Sequence, residues 1–286
     1  MTHKQPLGTA LITGASSGIG AVYATKLAER GYDLILVARD RLKLEAVTTQ
    51  IGSSTGRSVR FLPSDLTECY DIACIEELLR SDPSITMLVN NAGFGSTASV
   101  LEADADRMQT LINLNVTALT RLTYAVVPQF VHRGHGTIIN ISSIVAVAPE
   151  LLNGVYGGTK AFVLAFTQSL HHELQAKGVR VQAVLPPGTR TQFFSVAGTP
   201  IETMPEERRN RLMSPDDLVD AALVGLDQGE LVTLPSLPDK AEWEEYEAAR
   251  QRMIPNLLRP EPAERYRAHR RPNVRGSVES TPNLRA

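Results

Sequence analysis

The chain has 286 residues, 43% of them hydrophobic and 21% charged, with a formal net charge of −2. That is enough for one large domain with a sizeable core, and the near-neutral balance gives no global pull toward nucleic acid or membrane. No apolar run approaches the ~18 residues a membrane-spanning helix needs, and the N-terminus lacks a leader-like apolar core. Cys69 and Cys74 form no Cys-x-x-Cys pair, so the expectation is a cytoplasmic protein with structural thiols and no metal site.

In chain order, Thr9 to Ile12 reads as a short buried strand. Thr13-Gly14-Ala15-Ser16-Ser17-Gly18-Ile19-Gly20 follows, then a helical pattern that Gly31 stops. Strand, glycine-rich turn and helix start together predict an anion site, because the helix N-terminus offers free N–H groups and a positive dipole end. Gly14 would permit the tight turn, Gly18 a close approach to a pyrophosphate, and Gly20 close packing of helix on strand. Asp33 to Ala38 is a second strand, followed by Arg39 and Asp40. An arginine there suits a ribose 2′-phosphate and an acid suits a 2′-hydroxyl. Arg39 favours NADP(H), Asp40 keeps NAD(H) open, and a solvated Arg-Asp pair opening the next helix is the plain alternative.

Leu42 to Gly52 is helical in pattern, Ser58 to Leu62 a third strand leading to Asp65-Leu66, Ile72 to Leu79 a helix, and Met87 to Val89 a fourth strand. The fourth runs into Asn90-Asn91-Ala92-Gly93-Phe94-Gly95. A longer helix spans about Asp104 to Val127 and contains Asn113 and Asn115, poor interior helix formers. Thr137 to Ile141 is a strand ending near Ser143, and Val179 to Leu185 is a sixth, running into Pro186-Pro187-Gly188-Thr189-Arg190-Thr191. Residues about 190–213 are irregular or weakly helical. Phe193, Phe194, Ile201 and Met204 are exposed in pattern there, as in a substrate lid, with packing on the domain as the alternative. Ser214-Pro215 opens a capped helix to about Gln228, Leu231 to Leu234 is a seventh strand, and Glu242 to Met253 a last amphipathic helix. Residues 1–254 read as one domain. Residues 255–286, rich in Arg and Pro, read as a mobile tail, for which contact with nucleic acid or lipid is disfavoured. The alternation predicts an α/β, Rossmann-like doubly wound fold with a seven-stranded parallel sheet and helices on both faces. Gly14, Arg39, Asp65, Asn90 and Ser143 all fall at or just past strand ends, where such sheets bind ligands.

Tyr156 and Lys160 lie four apart, on one face of a helix that starts near Val155 and runs to about Ala176. A neighbouring ammonium favours the phenolate and lowers the phenol's pKa, fitting it to exchange a proton with a carbonyl oxygen. Ser143 would hold the same oxygen. Chance also produces such Tyr–Lys pairs.

With these motifs in place, the chain resembles the short-chain dehydrogenase/reductase family over about residues 7 to 235. The resemblance implies a catalytic set of Asn115, Ser143, Tyr156 and Lys160. Tyr156 would be the acid–base, and Lys160 would tune it and bind the nicotinamide ribose. Asn115 would hold a water linking Lys160 to solvent. It implies cofactor contacts from Gly14, Ser16, Ser17, Gly18, Ile19 and Gly20 in the turn. Further contacts would come from Arg39, from Asp65 and Leu66 at the adenine, from Asn91, Ala92 and Gly93, and from Thr189 and Thr191 toward the nicotinamide, besides Tyr156 and Lys160. The implied activity is hydride transfer between NADP(H) and a small apolar carbonyl or alcohol substrate, in a homodimer or homotetramer. A non-catalytic NADP(H)-binding regulatory protein on the same fold is the alternative. Two departures stand out: Pro187 replaces the usual glycine, with Gly188 expected to take the flexible role, and Thr159 precedes the lysine.

Overall fold

The computed structural model describes residues 7–267. Among them, seven strands form one parallel sheet: β1 (Thr9–Thr13), β2 (Asp33–Ala38), β3 (Val59–Pro63), β4 (Ile85–Asn90), β5 (Gly136–Ile141), β6 (Val179–Val184) and β7 (Val232–Thr233). Their order is β3-β2-β1-β4-β5-β6-β7. The strand order reverses between β1 and β4, which opens a crevice at the carboxyl ends of the strands.

Alternate residues of each strand feed two cores. Ala10 and Ile12 of β1, with Leu34 and Leu36 of β2, face α1 (Gly18–Arg30), α2 (Arg41–Thr55) and α9 (Pro215–Asp227). Leu11, Ile35 and Val37 point the other way, toward α3 (Cys69–Ser81), α5 (Leu119–Arg133) and α6 (Gly154–Leu174). Burial on both sides is why these strands read as near-continuous apolar runs rather than alternating ones.

The helix expected from Asp104 to Val127 is α4 (Ala105–Ile112) running into α5 through a π-helical turn at Asn113–Ala118. The two asparagines that sit badly in an α-helix lie in that turn. The helix before β2 ends at Gly31 and the helix after Ser214 begins with Pro215, as expected. The irregular segment after β6 folds into α7 (Phe193–Ala197), a 3₁₀ turn at Ile201–Thr203 and α8 (Glu206–Asn210).

The chain divides into two compact units, residues 1–236 and 237–286. The second contains α10 (Lys240–Leu257), in whose last turn Pro255 lies. After α10, Arg267 pairs with Glu261 and with Glu264. The remainder of the expected tail lies outside the described residues.

Candidate active site

The glycine-rich turn is held by β4. Thr13 Oγ1 accepts from the backbone N–H groups of Asn91 and Ala92, each at 3.0 Å, and donates to the Val89 carbonyl. Asn91 Nδ2 donates to the carbonyls of Thr13 at 2.9 Å and Gly14 at 3.3 Å. The Asn91 amide therefore braces the turn. Gly14 and Gly18 have φ of 67° and 56°, a conformation that favours glycine. At Gly20 the constraint is space: a Cβ would stand 2.4 Å from the Gly14 carbonyl oxygen. Ile19 packs on the first core. Ser17 precedes α1 without a capping side-chain bond, which leaves the first-turn N–H groups without a side-chain partner there. Ser16 lies in the same turn, half-buried. Thr191 closes it from above, since a Cβ on Gly18 would meet Thr191 Cγ2 at 3.1 Å.

At the far end of the crevice, Arg39 is largely exposed and pairs with Asp65 at 3.7 Å. Burial raises the Asp65 pKa, but hydrogen bonds from Thr67 and the Arg39 charge outweigh it, so the carboxyl is held below its usual range. Asp40 is committed elsewhere: it caps α2 by accepting from Lys43 N at 3.1 Å and lies 3.6 Å from the Lys43 ammonium. The acid that kept the 2′-hydroxyl reading open is thus a helix cap, and Arg39, paired with Asp65, is largely exposed at this edge. Leu66 is buried in the second core beneath Asp65.

The polar centre lies at the ends of β5 and α6. The Ser143 hydroxyl lies in the electrostatic surroundings of the Tyr156 phenol, and its Oγ accepts from Val145 N at 3.4 Å. Lys160 Nζ donates to the Ile141 carbonyl at 2.9 Å and lies 5.8 Å from the Tyr156 ring centroid. Ser142 Oγ donates to the Lys160 carbonyl at 2.7 Å, tying α6 to β5. The start of α6 is fixed by Asn153, whose side chain accepts from Val155 and Tyr156 N–H. Asn115 faces this group from the π-turn. Its carboxamide accepts from Phe94 N and donates to Phe94 O at 3.0 Å and to Thr159 Oγ1 at 3.2 Å. Thr159 in turn donates to the Tyr156 carbonyl at 2.8 Å. Gly93 must be small, because a Cβ would lie 2.8 Å from Asn115 Oδ1.

Two expectations are corrected here. The phenol of Tyr156 is not pulled down: burial pushes its pKa up, and the Ser143 hydroxyl opposes this only in part. The same burial lowers Lys160 to about 8, because a charged ammonium loses its hydration. Thr159, read as harmless, links Asn115 to the first turn of α6. Sequence reasoning also missed Thr13, which looks like any strand-end threonine. It missed the buried Asn90–Asn140–Thr167 chain as well, in which Asn90 Nδ2 donates to Asn140 and Asn140 Nδ2 to Thr167.

The turn after β6 differs from expectation as well. Gly188 does not adopt a positive φ. It serves by size, since a Cβ would come within 3.0 Å of Leu212. Its carbonyl accepts from Met213 N, and Thr189 Oγ1 donates to the Pro187 carbonyl. In the segment beyond, Phe194 and Met204 are buried with Leu212, not exposed.

The comparisons with known proteins bear on the family of the chain. The sequence matches the short chain dehydrogenase family over residues 8–200. It is 37% identical over 196 residues to human 17-beta-hydroxysteroid dehydrogenase type 3, covering 68% of this chain and 63% of that protein, so it spans less than two thirds of that relative's length. It is 37% identical over 194 residues to serine 3-dehydrogenase of Rhizobium radiobacter, covering 66% of this chain and 75% of that one. Among solved structures, a short-chain dehydrogenase from Sphingobium yanoikuyae in complex with NADPH superposes with a TM-score of 0.87. The two are 48% identical, and the match covers 91% of this chain and 100% of that one. The bulky-bulky ketone specific alcohol dehydrogenase of Comamonas testosteroni gives a TM-score of 0.83 at 44% identity, covering 92% of this chain and 99% of that one. The chain belongs to the short-chain dehydrogenase family.

Proposed function

We propose that the protein is an NADP(H)-dependent oxidoreductase that reduces the carbonyl of an apolar ketone or aldehyde, with the alcohol oxidation as its reverse. The observation that carries this is the Ser143–Tyr156–Lys160 constellation, buried at the end of the cofactor crevice. The residues fit the cofactor: Gly14 to Gly20 form a cradle that side chains would fill, and Arg39 stands at the 2′-phosphate end. NADP(H), when bound, supplies or accepts the hydride. The Ser143 and Tyr156 hydroxyls are neighbours, and a carbonyl oxygen entering between them would accept from both once each turns its O–H toward it. Burial keeps the phenol protonated at neutral pH, which suits the proton-donating direction, and a well-placed acid of this kind contributes ~10²–10⁴-fold in rate. Lys160, as an ammonium beside the phenol, stabilises the phenolate left after transfer. Asn115 completes the set. Its carboxamide is taken by Phe94 and Thr159, so its contact to a relay water falls to the backbone of the π-turn, a type of turn frequent at functional sites.

An apolar substrate is supported by the lining of Tyr156, which packs with Met108, Leu111 and Val145 and against Phe94, Leu152 and Phe193. The name of the Comamonas relative, a bulky-bulky ketone specific alcohol dehydrogenase, supports a ketone as the carbonyl substrate. A homodimer or homotetramer is supported by an exposed aromatic stack across α5 and α6: Tyr124 lies 6.3 Å from Phe166, and Phe162 lies 5.6 Å from Phe166. Sedimentation velocity measures that state. The activity is tested with Tyr156→Phe, which is expected to bind NADPH and lose turnover. Turnover near wild type in that variant sinks the assignment.

A further inference from the structure

The candidate acid is covered. Tyr156 is only 5% exposed, and the ring of Phe193 lies 5.5 Å from its own at an angle of 48°. Phe193 reaches this position because Gly95 has no side chain: a Cβ there would stand 2.3 Å from Phe193 Cζ. The ring is placed, not loose. Phe193 N donates to Thr191 Oγ1 at 3.2 Å, and the next residue, Phe194, anchors α7 in the cluster with Met204 and Leu212. Thr97 ties the far end of α7 to the loop after β4, donating to the Ala197 carbonyl at 3.0 Å. The space the ring fills is walled by carbon from Phe94, Met108 and Val145.

The Phe193 ring lies beside the buried Tyr156 ring and packs on an apolar cluster, so a substrate that approaches Tyr156 from this side meets carbon. We infer that Phe193 occupies the seat of the substrate's larger substituent, an aromatic or alicyclic ring, and that Phe193 and Gly95 together set the size of ketone accepted. A ring-bearing ketone covers the surface that Phe193 leaves, whereas a short dialkyl ketone leaves it open. The inference rests on the proposed role of Tyr156 and adds to it the substrate class and two residues that select it.

The test is steady-state reduction with NADPH of three ketones: 2-butanone, acetophenone and benzophenone. The variants are Phe193→Ala, Phe193→Trp and Gly95→Ala. Wild type is expected to favour acetophenone over 2-butanone. Phe193→Ala raises the kcat/KM ratio of benzophenone to acetophenone about 10-fold, and Phe193→Trp lowers it, as one ring's worth of pocket space allows. Gly95→Ala, whose methyl claims the same seat, lowers the acetophenone to 2-butanone ratio by about 10-fold. Phe193→Ala needs no space at Gly95 and keeps the test open if Gly95→Ala or Phe193→Trp does not fold, which an NADPH titration reports. Ratios within about twofold of wild type in both Phe193 variants overturn the inference. Tyr156→Phe is assayed alongside. Turnover there overturns the acid–base assignment, while the ratios still decide the role of Phe193.

Discussion

Lys160 is a buried cation, and replacing it is expected to make the nucleotide-free protein more stable. Its side chain is 6% exposed, and burial lowers its pKa from 10.5 to about 8. At about 1.4 kcal/mol per pH unit, holding the ammonium in place at neutral pH costs about 3 kcal/mol. Lys160→Met keeps the volume and removes the charge. It also removes the bond to the Ile141 carbonyl at 2.9 Å, which offsets about 1 kcal/mol. The variant is therefore expected to gain about 2 kcal/mol at pH 7. Between about pH 8 and 10.5 the unfolded chain keeps this proton while the folded chain releases it, so wild-type stability rises with pH and the variant's advantage shrinks. By pH 9 it is expected to fall below about 1 kcal/mol. Urea unfolding of both proteins without nucleotide, at pH 7, 8 and 9, measures the difference directly. A variant less stable at pH 7, or an advantage that grows with pH, refutes the reasoning.

Gly20→Ala puts a methyl 2.4 Å from the Gly14 carbonyl oxygen, so the turn must shift. A loss of about 1–3 kcal/mol in thermal or urea unfolding is expected, with NADPH binding weakened in a fluorescence titration. Thr159→Val cuts the link from Asn115 to the Tyr156 turn and is expected to lower kcat about 10-fold with NADPH affinity retained, and Thr159→Ser to restore it. Arg39→Ala is expected to weaken NADPH binding roughly 10- to 100-fold, the worth of a charge-assisted phosphate contact, while leaving NADH binding nearly level. Equal losses for both nucleotides would remove Arg39 from the 2′-phosphate.

The frame of this site was legible because its residues follow strands. Gly14, Arg39, Asp65, Asn90 and Ser143 each come at or just past the end of an apolar run, and a parallel sheet gathers all such ends on one edge. Asn115 was legible for the opposite reason: it disagreed with its helix, and a π-turn stands where the disagreement lay. The lid was harder. Phe194 and Met204 sit in short, irregular pieces where no period marks the inward face, so only the fold shows that they are buried. The Tyr156 pKa was misjudged because sequence spacing reports the charged neighbour but not the loss of water around it. Thr13 and Thr159 could not be told from ordinary threonines, since their partners, Asn91 with Ala92 and Asn115, lie far away in the chain.

The reversal of strand order also bears on how the chain reaches this state. β1 pairs with β2 on one side, but its other neighbour is β4, where Thr9 meets Ile85 and Ile12 meets Val89. As the chain leaves the ribosome, β1, β2 and β3 can associate early, while the second edge of β1 waits for a segment some 76 residues downstream. The bonds that shape the glycine turn come from Asn91 and Ala92, just after β4. The bracing of the turn is therefore complete only once that long loop has closed. Long-range parallel pairing is slow and leaves strand edges open in the meantime, so the early half-sheet is where chaperone assistance would count most.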